Sequence, residues 1–111
     1  MPNGLDHVQA TLAVCQRVLN SLEQASALDA DARADLETRL NAIQATLTAI
    51  QERFMLRSKL CLPYAARCER EAAALEVALG QGVAIGPALE AFDKAAKVLD
   101  ERSNMQGMVI T

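Results

Sequence analysis

The stretch LETRLNAIQATLTAIQERF, residues 36–54, decides the fold. Its apolar residues Leu36, Leu40, Ile43, Leu47, Ile50 and Phe54 recur at steps of four and three. Side chains at that spacing stack on one side of an α-helix. A second run, Leu5, Val8, Leu12, Cys15, Leu19 and Leu22, keeps the same rhythm. Helices that each offer one apolar stripe must bury it against other helices. The chain therefore reads as all-α: a small antiparallel bundle of about four helices. The same heptads would also serve a dimeric bundle, in which an extended hairpin pairs with a second copy.

Working outward, Asn3 is placed to cap the first helix, with Asp6 in its first turn, where the helix dipole favours negative charge. That helix is expected to run to about Ala25. Ser26-Ala27-Leu28 connects, and Asp29 caps a long second helix from about Ala30 to about Leu60. Asp29/Arg33, Arg33/Glu37 and Asp35/Arg39 lie four apart, as surface ion pairs would. Pro63 is expected to break or kink this helix, since proline lacks the amide donor and clashes with the preceding turn. A third helix should follow from Tyr64 to about Leu79, with Tyr64, Cys68, Ala72, Leu75 and Leu79 on one stripe. Gly80-Gln81-Gly82 stops it, and Gly86-Pro87 starts a fourth helix with seam Leu89, Phe92, Ala96 and Leu99. Glu90/Lys94 and Asp93/Lys97 support its outer face. One domain is expected over residues 1–104, with a flexible tail at 105–111 containing Met108-Val109-Ile110.

Composition narrows the function classes. A chain of 111 residues can bury roughly 65 % of its unfolded surface, enough for one modest core. Aromatic residues make up only 3 % of it, so Ala, Leu, Val and Ile must fill that core. The net charge of −3 argues against general nucleic-acid binding. No apolar segment is long enough to span a bilayer, and Met1–Gly4 lacks the basic start of a secretory leader. Three cysteines at irregular spacing suit a reducing cytoplasm better than a disulfide framework. High Ala with Arg above Lys suits a bacterial source with a GC-rich genome.

Residue patterns that would carry catalysis are weak. Cys15, Cys61 and Cys68 with a distant His7 do not have the spacing of a zinc site. His7 lies two turns from Cys15, too far along a helix for a catalytic pair. Gly80, Gly82 and Gly86 depart by one residue from a dinucleotide-binding loop and follow a helix rather than a strand, so they read as a turn. No catalytic residue, cofactor or metal is assigned. A helical enzyme or ligand-binding bundle would need a pocket that no motif announces.

The best functional candidate is the segment from Arg53 to Arg70. Phe54, Met55 and Leu56, and again Leu60, Cys61 and Leu62, cannot all face one seam, because successive helical residues turn by about 100°. Some of this apolar surface must meet another element or a partner. Phe54, Met55, Leu56, Arg57, Leu60 and Arg67 are therefore assigned to a partner-binding patch, since Arg and Met are enriched at interfaces. Arg53, Arg57, Lys59, Arg67 and Arg70 form the alternative, an anion- or nucleic-acid-binding cluster. This segment holds five basic residues and one acid, whereas the rest of the chain holds six and thirteen. In size, charge and helicity the chain resembles secretion and flagellar export chaperones, a likeness that covers no motif and transfers no binding residue. The leading expectation is a non-catalytic interaction module of chaperone, adaptor or inhibitor type, binding a protein partner or itself.

Overall fold

A computed structural model describes residues 2–104, so the expected tail at 105–111, with Met108-Val109-Ile110, lies outside the described residues. Helix α1 spans Gly4–Ser21, α2 Ala30–Ile50, α3 Leu62–Gln81 and α4 Ile85–Ser103. Single 3-10 turns lie at Leu22–Gln24 and Phe54–Arg57. No strand occurs among the described residues, and the four helices pack against one another as the heptads predict.

Local chemistry starts the first two helices. The Asn3 side chain accepts from the Asp6 amide at 3.1 Å, and the Asp6 carboxylate accepts from the Asn3 amide at 2.8 Å. This reciprocal pair satisfies two donors that a helix start leaves open. Asp29 caps α2 by accepting from the Ala32 amide at 2.7 Å. Helix α3 ends at Gly82, whose φ of 72° is left-handed and costs glycine nothing. Pro63 sits in the first turn of α3, where its missing amide is harmless.

The arrangement in space follows from which helices touch. Helix α1 packs on α3 and α2, and α4 packs on α3 and α2. The helices thus take the corners of a square in the order α1, α3, α4, α2. Backbones approach most closely where α3 meets α1 and α4, and there α3 buries small residues: Ala65, Cys68, Ala72 and Ala78. Helix α2 instead presents Leu36, Leu40, Ile43, Leu47 and Ile50. Neighbours from different hairpins run parallel. His7 and then Arg17 of α1 reach Glu69 and then Glu76 of α3. Arg39 of α2, and Arg53 just beyond it, reach Glu90 and Asp100 of α4. Antiparallel packing holds within each hairpin, α1 with α2 and α3 with α4.

That topology corrects the expected length of the second helix. α2 ends at Ile50, not near Leu60, and Pro63 is not the break. Helices α2 and α3 stand on a diagonal, roughly 14 Å apart if neighbours are about 10 Å apart. Residues 51–61 must cross the end of the bundle to join them. Nothing local forces the break, since no Gly or Pro lies between Ile50 and Leu62. The consequence for the seam is direct: Phe54, the next apolar step, is turned outward, and Leu56 enters the core instead.

Smaller departures accompany it. The buried side of α1 carries Gly4, Val8, Thr11, Val14, Cys15 and Val18 and continues to Leu22 in the turn that follows, while Leu5, Leu12 and Leu19 flank it half-buried. The first helix ends at Ser21 rather than Ala25. Arg39 turns to Glu90 of α4 at 2.6 Å rather than to Asp35, and Arg33 donates to the Leu28 carbonyl at 3.2 Å. Lys97 and Asp93 do pair along α4, at 3.0 Å.

Candidate interaction surface

The crossing segment, residues 51–61, closes one end of the bundle, here called the floor. Its attachments are tertiary. Leu56 is 0 % exposed, and its carbonyl lies against Gly4, where a Cβ would overlap the oxygen. Glycine at the start of α1 is what allows this close approach. Cys61 is buried, and its thiol faces the Arg102 carbonyl at 3.7 Å. Arg53 donates through Nη1 to the Asp100 carbonyl at 2.9 Å, the Asp100 carboxylate at 2.6 Å and Ser103 Oγ at 2.9 Å. A cation at the last turn of α4 answers the partial negative charge there.

Held at these points, the segment displays what lies between them. Phe54 and Leu60 are each 67 % exposed, and Arg57 and Lys59 are exposed beside them in sequence. Met55 is half-buried against the core. Arg67 is half-buried and Arg70 exposed on α3. The sequence-assigned patch therefore loses Leu56, which is a core anchor. The basic cluster loses Arg53, whose charge is spent on α4. The distinction escaped the sequence because Phe54 continues the heptad and Leu56 does not.

Contacts between α1 and α3 were also not legible. His7 Nδ1 lies 2.6 Å from Glu69 Oε1, joining the two helices near the floor. Arg17 grips Glu76 with two donors at 2.9 and 3.0 Å, which holds the Glu76 carboxyl below its usual range. The pairs are sixty or so residues apart, so no local pattern announces them. Cys15 and Cys68 are buried between these helices, and burial pushes their thiols up to about 11 and about 12. Such thiols stay protonated and poorly nucleophilic.

Other surfaces offer less chemistry. A groove of about 490 Å³ at the opposite end is lined by Gln24, Ala27, Glu76, Leu79 and Gly82. One of about 690 Å³ between α1 and α2 is lined by Asn20, Glu23, Arg33, Glu37 and Asn41. Neither is lined by a residue of the sequence-assigned partner patch or basic cluster. Among the described residues, no three His, Cys, Asp or Glu side chains converge as metal ligands. No described helix is long and apolar enough to cross a membrane. Comparison with protein-family models, with curated proteins and with solved structures gave no match.

Proposed function

We propose that this protein is a non-catalytic helical interaction module, of chaperone, adaptor or inhibitor type, whose floor binds a protein partner. One observation carries the reading. The crossing segment buries Leu56 and Cys61 completely, yet shows Phe54 and Leu60 at 67 % exposure. A connection anchored to a helical scaffold that displays large apolar side chains is a common arrangement of a binding loop. Phe54 and Leu60 would be the anchors, Met55 an adaptable neighbour, and Arg57, Lys59 and Arg67 the polar rim. The free thiols suit a reducing compartment such as a bacterial cytoplasm.

The test begins with a photo-crosslinking residue at position 54 or 60, compared with position 83 at the other end, in the cell of origin. The captured protein is then purified and titrated calorimetrically against the chain. Phe54→Ser with Leu60→Ser should weaken that affinity by about tenfold or more while leaving helicity intact. Crosslinking from position 83 alone, or unchanged affinity in the folded double variant, rejects the reading. Light scattering addresses a second copy as the partner: a dimer that the same variant dissociates assigns the face to self-association.

A further inference from the structure

We infer that the floor takes an acidic protein segment that also carries large apolar side chains. This rests on the floor being the interface, and it adds the chemistry of the partner. Of the five basic residues between positions 53 and 70, Arg53 is turned inward onto α4. Arg57, Lys59 and Arg70 remain exposed, and Arg67 half-buried. The one acid of that stretch, Glu69, is joined to His7. Elsewhere the chain carries thirteen acids against six bases. The floor itself also displays one acid, Glu52, so across residues 51–70 exposed Arg57, Lys59 and Arg70 and half-buried Arg67 outweigh it, and the floor is the basic region of an acidic molecule. An acidic segment is attracted here and repelled elsewhere, which steers encounter and fixes register.

Charge alone would equally suit nucleic acid, and the aromatic residues decide between them. Base recognition in single strands rests on stacking platforms. Tyr64 is already covered by the Arg102 guanidinium, 5.1 Å from its ring centre. Phe92 is fully buried. Phe54 is left as the one exposed aromatic ring among the described residues, beside an aliphatic Leu60. A ring and an aliphatic side chain make an apolar anchor site for protein side chains rather than a track for successive bases.

Fluorescence anisotropy with two designed amphipathic peptides of about 18 residues, each with leucine at helical spacing, tests this. One has Glu at all polar positions and the other Lys. A single-stranded oligonucleotide is the third probe. The full chain should bind the Leu/Glu peptide, and more weakly as salt rises. Arg57→Glu with Lys59→Glu should cost about tenfold and shift preference to the Leu/Lys peptide, and Phe54→Ser with Leu60→Ser should cost a similar factor. Equal binding of the Leu/Lys peptide, still dependent on Phe54 and Leu60, overturns the acidic chemistry and leaves the interface standing. Oligonucleotide binding that is tighter than either peptide and indifferent to Phe54 and Leu60 replaces it with the anion-binding reading of Arg57, Lys59, Arg67 and Arg70. Failure of both peptides overturns it outright.

Discussion

The two ends of the bundle solve different connection problems. At the far end, the roof, residues 22–29 and 82–84 join helices that are already neighbours. Those links are short and use two local signals, the Asp29 cap and the left-handed Gly82, while Ala84, with φ of 57°, carries the strain of a left-handed residue with a Cβ. The floor joins helices on a diagonal, so its link is longer and is held by residues remote in sequence: Gly4, Asp100, Arg102 and Ser103. The short 82–84 link of the roof shows one large apolar side chain, Val83 at 59 % exposure, whereas the longer floor link shows two larger ones, Phe54 and Leu60, at 67 % each. Phe54 and Phe92 make the contrast at one residue type, the first exposed on the floor and the second fully enclosed.

The largest expected effect separates anchor from display. Leu56→Ala should lower the unfolding free energy by about 2–5 kcal/mol in urea, through lost burial and the cavity left behind. Leu60→Ala should change it by no more than about 0.5 kcal/mol. The reverse order would break the distinction drawn for the floor.

Next come the thiols between the two ends. Because Cys15 and Cys68 have folded pKa values raised to about 11 and about 12, their contribution is complete below the ordinary thiol value of 9.0 and fades as pH rises above it. Each adds about 1.4 kcal/mol of lost stability per pH unit there. Urea melts between pH 8 and pH 10 should therefore lose stability more steeply for the wild type than for Cys15→Ala with Cys68→Ala. Equal slopes would mean that α1 and α3 are not closed over the thiols. Gly4→Ala should cost about 1–3 kcal/mol, because the new methyl meets the Leu56 carbonyl, a backbone atom that cannot step aside cheaply. An unchanged melting temperature would show that the floor is loosely seated on α1.

The smallest effects belong to the roof. Gly82→Ala should destabilise by about 1 kcal/mol, and Ala84→Gly should stabilise by a somewhat smaller amount, since both positions are left-handed. Differential scanning calorimetry of the two variants reads opposite shifts. Shifts of the same sign would refute the local origin of the roof turns.

Much of the fold was legible because it is written in short-range chemistry. The Asn3 and Asp29 caps, the Gly82 stop and the buried stripes of α2 and α4 each depend on residues within a turn or two. The candidate site was only partly legible. Its segment could be found from apolar crowding and excess positive charge. Which members face outward could not, since Leu56 and Leu60 look alike as sequence and differ only in what lies beside them.

The sequence by itself determined that four amphipathic helices form, where most of them begin, and that their stripes require a bundle. Helical periodicity and capping are local, so one chain read in order suffices for them. Only the tertiary structure decided that the hairpins lie side by side in parallel, that α2 stops at Ile50, and that Phe54 is shown while Leu56 is buried. Those outcomes depend on distances between residues far apart in the chain. The diagonal between α2 and α3, and the Arg53 contact with the end of α4, have no counterpart in any local stretch of sequence.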